Sequence, residues 1–197
     1  MEKEPKVSPL PSLDDKCGTH FRFKDLIQCG ETYHGLGIDN TPREAQTYLA
    51  LKRLTEEILD PLVNEFGKIE LTYGVSCSSL SRAIKRNICP SLDQHSSFER
   101  NKNGHLICKR GGAAADVCSP NVGSLTLSQW IVRQREFDRL YYYGDQRPFH
   151  ISLSAENYRH IVIMRRSEIT GRRIPKRISN DSFLMLKDDS KMSISGR

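Results

Sequence analysis

The sequence lacks any long uninterrupted apolar run, and this absence limits what the protein can be. A transmembrane helix needs about 18 or more consecutive apolar residues, and no stretch of the 197 residues approaches that length. The N-terminal segment MEKEPKVSPLPSLDD is charged and interrupted by proline, so it lacks the apolar core of a secretory signal. We therefore expect a cytoplasmic protein with no membrane partner.

The sequence also lacks a CxxC pair. Its six cysteines are Cys17, Cys29, Cys77, Cys89, Cys108 and Cys118. Without such a pair a zinc knuckle ligated by thiolates is not expected. In a reducing compartment these cysteines should remain mostly thiols.

Acidic residues are almost absent from one segment near the C-terminus. Residues 159–177 contain seven Lys or Arg against a single acid, Glu168, in a chain whose net charge is +6. Such a segment suits an anionic ligand, a nucleic acid, an acidic partner protein or a polymer such as cell wall. It is equally compatible with a solvated tail, and aromatic residues do not alternate with the charges as they do in base-stacking surfaces.

The remaining pattern predicts an α+β fold, with a small antiparallel sheet and flanking helices. Apolar residues recur at helical spacing over residues 45–66, where Pro61 should kink the helix and Gly67 should end it. The segments KIELTYGVS and RPFHISLS alternate as strands do. We divide the chain into a flexible leader (1–19), a main domain (20–158) and a basic C-terminal extension (159–197).

A run of small residues, GGAAAD, ends at Asp116 and indicates that a backbone or a ligand approaches closely. Upstream of this run, Asn103-Gly104 is a strong signal for a two-residue hairpin turn. A hairpin that turns near residue 102 brings His95 roughly opposite Lys109. The excursion would then return the chain to the place that it left.

These pieces resemble the M15 zinc peptidases, the family of D-Ala-D-Ala carboxypeptidases and phage endolysins with the hedgehog-like fold. The resemblance runs in order through FRFKDLIQCGE, GIDNTP, LDPLVNEFGKIELTYGVSCSS, GGAAADV, FDRLYYYG and RPFHIS. It implies a bacterial or phage protein whose zinc is bound by a Ser-x-His-x-x-Gly-x-Ala-x-Asp motif and by a later histidine on a strand. Such a zinc keeps one open position for the water that it activates.

In this sequence Asp116 matches the motif's aspartate and His150 the later histidine, but the first histidine has two interpretations. Without a gap its position holds Lys109, whose protonated ammonium would pair with Asp116 and replace the metal's charge. If the hairpin is an insertion, the segment DQH supplies His95, and zinc would bind His95, Asp116 and His150. Each histidine could also be an ordinary loop or core residue.

Other family positions have lost the residues that catalysis uses. The general base is replaced by Arg147 or Tyr143, and the arginine that grips the substrate carboxylate is replaced by Ser79. The nearest acids, Glu99 and Asp145, are not in the family position. Loss of a general base typically costs about 10²–10⁴ in rate.

Basic residues have instead gathered near the inferred cleft, which would suit an anion such as phosphate. The ligand-binding candidates are Lys109, Arg110, Arg139, Arg147 and Ser79. We therefore expect an M15-like protein with a degraded zinc site, acting as a non-catalytic binding module for an anionic ligand, a nucleic acid or a partner protein. The alternative is a zinc-dependent peptidase that cleaves peptides or cell-wall cross-links with a rearranged site.

Overall fold

The polypeptide folds around one six-stranded sheet with helices against it, in a computed structural model that describes residues 9–84, 89–167 and 169–187. This confirms the predicted α+β class and the mostly antiparallel sheet. The relation to the hedgehog-like fold stays a prediction.

One long helical stretch stands out among short helices. The helices are α1 (Phe23–Ile27), α2 (Glu31–Leu36), α3 (Ala45–Leu54), α4 (Asp60–Phe66), α5 (Ser78–Ala83), α6 (Ser124–Gln134) and α7 (Asn180–Leu184), with 3₁₀ turns at Pro90–Leu92 and Gln94–Ser96. A π-helical turn, Thr55–Leu59, joins α3 to α4. It lies directly before Pro61, which has no N–H to donate to the regular helical ladder. Gly67 ends α4 with a φ of 78°, as predicted. None of the helices in the described ranges is both long enough and apolar enough to span a bilayer.

The strands lie in the order β1-β2-β4-β3-β5-β6. Their bounds are β1 (Glu70–Tyr73), β2 (Ala113–Cys118), β3 (Arg139–Tyr142), β4 (Phe149–Leu153), β5 (His160–Arg166) and β6 (Arg173–Ile178). All neighbouring pairs are antiparallel except β3 and β5. The chain reverses between β4 and β5 and passes to the far side of β3, so β5 runs parallel to β3.

The two faces of the sheet have different roles. Phe149, Ile151 and Leu153 of β4 belong to the hydrophobic core. Because side chains alternate along a strand, His150 and Ser152 point to the opposite face. That second face is covered by the loop that contains the 3₁₀ turn Gln94–Ser96, and it carries the candidate site.

Both ends of the chain depart from the predicted division into leader, domain and extension. Cys17 is fully buried, and the N–H groups of Thr19 and His20 donate to the carboxylate of Asp60 on α4. Much of the predicted extension forms β5 and β6 of the same sheet. Edge strands often carry Lys, Arg and Pro that prevent further pairing, which is why β6 reads as a basic tail. The remainder of these two segments, residues 1–8, 168 and 188–197, lies outside the described residues.

We expect the substitution Phe183→Ala to lower the free energy of unfolding by about 3–5 kcal/mol, because this ring of α7 is fully buried in the core. Met185→Ala should change it by less than about 0.5 kcal/mol, since the Met185 side chain is 79% exposed. Urea denaturation followed by circular dichroism would measure both. Equal stability of the two variants would show that α7 does not contribute to the core.

Candidate metal centre

Two of the predicted ligands meet because of strand register. In the antiparallel pair β2–β4, Asp116 lies directly opposite His150, and opposed residues point to the same face. Tyr73 of β1 and Tyr141 of β3 extend the same row on either side. The row therefore brings a carboxylate and an imidazole together on the face away from the main core.

The third predicted ligand, His95, reaches this row from a loop. Asp93 caps the 3₁₀ turn that contains it, because one carboxylate oxygen of Asp93 accepts the backbone N–H of His95 at 3.1 Å. On the other side, the N–H of Ser76 donates to the carbonyl oxygen of His95 at 2.9 Å. The backbone of His95 is thus held at both of its polar groups.

The predicted hairpin separates His95 from the GGAAAD run. Arg100 pairs with Leu106 across it, which centres the turn on Asn103, and the N–H of Gly104 donates to the carbonyl oxygen of Asn101 at 2.9 Å. The two ends of the excursion are joined where the side-chain amide of Gln94 donates to the carbonyl oxygen of Gly111 at 3.2 Å. The hairpin is confirmed, and the chain returns to the place that it left.

The small residues before Asp116 permit a close backbone approach, as predicted. Gly112 has a φ of 83°, and a Cβ there would lie 1.9 Å from the carbonyl oxygen of Leu153 on β4. Ala113 and Ala115 are fully buried against the core. This packing keeps β2 tightly paired with β4 up to Asp116.

The ligand atoms of the three residues form a small triangle. Nδ1 of His150 lies 3.0 Å from Nε2 of His95 and 3.0 Å from Oδ1 of Asp116, and the latter two atoms are 3.3 Å apart. Two ligands of a tetrahedral zinc, each about 2.0–2.1 Å from the ion, lie about 3.3 Å from each other. The group His95, Asp116 and His150 could therefore hold a metal ion.

A hydrogen bond at Nδ1 of His95 fixes which ring nitrogen is free to bind a cation. Nδ1 of His95 lies 2.6 Å from the carbonyl oxygen of Gly74, which can only accept, so Nδ1 carries the proton. Neutral His95 then presents a lone pair at Nε2 toward the carboxylate of Asp116. A cation at the centre of the triangle would satisfy both acceptors, and a second-shell carbonyl of this kind is usual for metal-binding histidines.

The charges of the triangle support one another. Burial alone would raise the pKa of Asp116, but the nearby His95 and the hydrogen bond with His150 hold this pKa well below its usual range. Burial likewise lowers the pKa of His95, but the charge and hydrogen bond of Asp116, the charge of Asp93 and the hydrogen bond with Gly74 together outweigh burial and raise this pKa. The Asp116 side chain is 27% exposed. Its carboxylate therefore stays negative, attracts a cation and remains reachable from solvent.

The triangle lies in a cleft of about 930 Å³. The walls are largely aromatic and apolar, and include Tyr33, Tyr73, Tyr143, Leu71, Leu80 and Pro148. The acids that line it are Glu31, Asp93 and Asp116, and no Lys or Arg of the described residues does so. The expectation of a basic cleft suited to an anion was wrong.

Lys109 is not the partner of Asp116. It lines a separate pocket of about 340 Å³ together with Arg110 and Arg139. The structure describes both Lys109 and Asp116, and no ion pair joins them. The hairpin lies between His95 and the GGAAAD run, and it is His95 rather than Lys109 that lies beside Asp116.

The other two predicted ligand-binding residues also lie outside the metal cleft. Arg147 lines a third pocket, of about 590 Å³, with Arg165 and Arg166. The hydroxyl of Ser79 on α5 donates to the carbonyl oxygen of Asp39 at 3.3 Å. Neither side chain contributes to the surface around the triangle.

The two acids nearest to the family's base position hold helix ends. Glu99 is buried, and its carboxylate accepts the N–H groups of Arg43 and Glu44 at the start of α3. Asp145 accepts the N–H of Leu125 at the start of α6 at 2.9 Å. Both carboxylates satisfy N–H groups that have no partner within their own helix.

Sequence reasoning missed four residues that shape the site. Tyr73 packs on the His95 ring with centroids 4.2 Å apart, and Tyr141 on the His150 ring at 5.1 Å. Asp93 was within the quoted DQH segment, where an aspartate before a short turn is a capping signal. Gly74 acts only through its carbonyl oxygen, and a backbone group leaves no signal in a sequence.

Comparison of the chain with protein-family models, with curated proteins and with solved structures gave no match. The case for a function therefore rests on the geometry of the site.

Gly74→Ala should disturb the metal centre through its second shell. A Cβ at Gly74 would lie 2.0 Å from the carbonyl oxygen of Leu26, so the backbone that supports His95 must move. We expect the free energy of unfolding to fall by about 1–3 kcal/mol and zinc affinity to fall about 10–100-fold. Urea denaturation and competition with a chelator would measure these changes.

Gly35→Ala is the matched control, because a Cβ at Gly35 on α2 would meet nothing within 4 Å. It should leave zinc affinity unchanged and raise the free energy of unfolding by no more than about 1 kcal/mol, because alanine favours the helix more than glycine does. Equal zinc affinity of the two variants would contradict a role for the Gly74 carbonyl.

Proposed function

We propose that this protein is a zinc-dependent peptidase of the M15 type, with the metal bound by His95, Asp116 and His150. The observation that carries the proposal is the triangle of ligand atoms at 3.0–3.3 Å. Two imidazoles and one carboxylate form a ligand set of the kind that catalytic zinc uses, with a fourth position left for water or substrate. The M15 resemblance of the surrounding segments supports the same ligand set.

Several features of the chain suit a substrate at this centre. A bound zinc would supply a Lewis acid that polarises a carbonyl and activates water. The residues of the chain would then position the substrate, because Tyr33, Tyr73 and Tyr143 line the cleft and offer aromatic surface. A cleft of about 930 Å³ is large enough to take several residues of an extended peptide.

Proton transfer would fall to residues other than those of the family. The family's places for a general base hold Arg147, which lines another pocket, and Tyr143, which lines the cleft. Glu31 also lines the cleft and supplies a carboxylate from α2. The site would therefore differ from the M15 pattern in how the proton moves while keeping the metal ligands.

The second candidate function is a non-catalytic, metal-binding module. It is favoured by the loss of the substrate clamp at Ser79, whose hydroxyl is engaged with Asp39, and by the basic side chains of β5 and β6. Many of these side chains are exposed on the edge strand, where an anionic polymer, a nucleic acid or an acidic partner could contact them. Measuring metal content and hydrolysis separately distinguishes the two functions.

The purified full-length chain should bind about one zinc ion per molecule. His95→Ala, Asp116→Ala and His150→Ala should each lose most of this zinc, because each removes one of three ligands. His105→Ala is the matched control, since His105 is exposed on the hairpin. Elemental analysis by mass spectrometry after equilibration with zinc would measure the content. Full zinc content in the His95→Ala or His150→Ala variant would exclude the proposed centre.

We further expect the zinc-loaded protein to cleave peptide bonds. Two substrate classes would be assayed: a mixture of unmodified peptides, and cross-linked peptides from cell wall. Chelation should abolish cleavage, added zinc should restore it, and His150→Ala should remain inactive after zinc is added. Mass spectrometry of the products would identify the bonds cleaved. Stoichiometric zinc without cleavage of either substrate class would reject the peptidase and favour the binding module.

A further inference from the structure

A second pocket lies apart from the metal cleft and has the opposite charge character. Its volume is about 340 Å³. The lining side chains include three cations and two acids, and the full lining is Lys109, Arg110, Asp138, Arg139, Ser154, Ala155, Glu156 and Tyr158. None of its three cations lines the metal cleft.

Arg139 has hydrogen-bonding capacity that the protein does not use. Its Nη1 donates to Nδ1 of His160 at 2.8 Å, so that nitrogen of His160 must be the unprotonated one. Its Nε is buried and has no hydrogen-bond partner. The nearest carboxylate oxygen, on Asp138, is 3.9 Å away, well beyond the roughly 2.7–2.9 Å of a charge-assisted hydrogen bond.

The two acids of the pocket, Asp138 and Glu156, only partly neutralise its three cations. Asp138 is buried, and the oxygen that faces Arg139 already accepts the side-chain amide of Gln94 at 2.8 Å. Neither Lys109 nor Arg110, both within the described part of the chain, forms an ion pair, and Arg110 donates instead to the carbonyl oxygen of Leu92. With three cations against two acids, the lining keeps a net positive charge of one.

His160 reports the same positive field. Its pKa is lowered first by burial and then by the nearby charges of Arg139 and Arg177, with a further contribution from Arg110. The ring of Tyr158 lies beside that of His160, with centroids 5.8 Å apart. Several arginines thus converge on one neutral imidazole and one exposed aromatic ring.

We propose that this pocket binds an oxyanion, a phosphate or carboxylate group of a ligand, through Lys109, Arg110 and Arg139. Lysine and arginine side chains that converge on a concave site are the usual ligands of such groups. Arg139 lies opposite Ser152 in the β3–β4 pair, two residues along β4 from His150. Ser152 and His150 point to the same face and lie roughly 7 Å apart along the strand, so the Arg139 side of the pocket adjoins the row that contains Asp116 and His150.

The test is a titration of the full-length, metal-free protein with inorganic phosphate, followed by NMR chemical shifts. Wild type should show saturable binding that weakens as sodium chloride is added. The double variant Lys109→Gln/Arg110→Gln should bind phosphate at least about tenfold more weakly, because two charge-assisted contacts are lost. Arg139 is left intact in this variant because it is partly buried.

Lys102→Gln/Arg133→Gln is the matched control, since both residues are exposed and lie outside the pocket. It should bind phosphate as wild type does, and the thermal unfolding of both double variants should show that they are folded. Unchanged affinity in the pocket variant, or no saturable binding by wild type, would overturn the proposal.

Two further measurements separate this site from the proposed metal centre and identify the anion. His150→Ala should bind phosphate as wild type does, because His150 does not line the oxyanion pocket. The phosphate result is therefore independent of whether zinc binds. Loss of phosphate binding in His150→Ala would contradict a pocket separate from the metal centre. Titration with acetate tests the carboxylate source: binding by acetate as well as phosphate assigns a general oxyanion site, and binding by phosphate alone assigns a site for phosphorylated ligands.

Discussion

The pairing of β2 with β4 is the constraint on which the site depends. Its register sets Asp116 opposite His150, and a slip of one residue would turn Asp116 toward the core and Val117 toward the cleft. Two features resist such a slip. Val117, Phe149 and Ile151 are fully buried on the core side, and Gly112 lies so close to the carbonyl of Leu153 that a larger residue could not occupy its place. Core packing and ligand geometry therefore specify the same register.

His95, the third candidate ligand, lies on a loop rather than on a strand, so strand register cannot fix its position. The loop itself must be ordered for His95 to be held beside Asp116. The root of the hairpin is tied to three parts of the fold. Gln94 bonds Gly111 and Asp138, while Glu99 accepts N–H groups at the start of α3. These buried polar contacts reduce the conformational freedom that binding a metal would otherwise have to remove. The carboxylate of Glu99 thus contributes to the site by holding the loop, although it is far from the position of a general base.

Local signals in the sequence predicted local structure well. Asn103-Gly104 predicted a hairpin, and Gly104 takes a φ of 79° that glycine permits, although the turn centres on Asn103. Gly67 ended its helix as expected. Local signals could not decide whether His95 or Lys109 lies beside Asp116. Lys109 and His95 were both acceptable because the choice depends on where a long excursion returns, which is set by contacts such as Gln94 to Gly111. Alternation in RPFHIS predicted that His150 lies on a strand. The pattern within one strand does not show which residue of another strand lies opposite it, here Asp116.

The least predictable part of the fold was the C-terminal sheet edge, and the reason is physical. An edge strand pairs on one side only, so it can carry charged residues and a proline that an inner strand could not. In β6, Pro175 and Lys176 satisfy this requirement and at the same time remove the apolar alternation that marks a strand. Phe183 of α7 joins the extension to the core, but its full burial follows from packing between distant segments and leaves no signal in the sequence.

Charge is unevenly distributed over the face of the sheet that carries the candidate metal centre. Three carboxylates, Glu31, Asp93 and Asp116, line the cleft, whereas Lys109, Arg110 and Arg139 line the neighbouring pocket. Arg139 lies opposite Ser152, two residues along β4 from His150, so the two regions adjoin on one face of the sheet. A divalent cation in the cleft would cancel two of its three negative charges and reduce the repulsion felt by an anion bound beside Arg139. A ligand that offers a neutral carbonyl to the metal and an oxyanion to the pocket would match both ends, whereas one with the reverse arrangement would meet like charge at each.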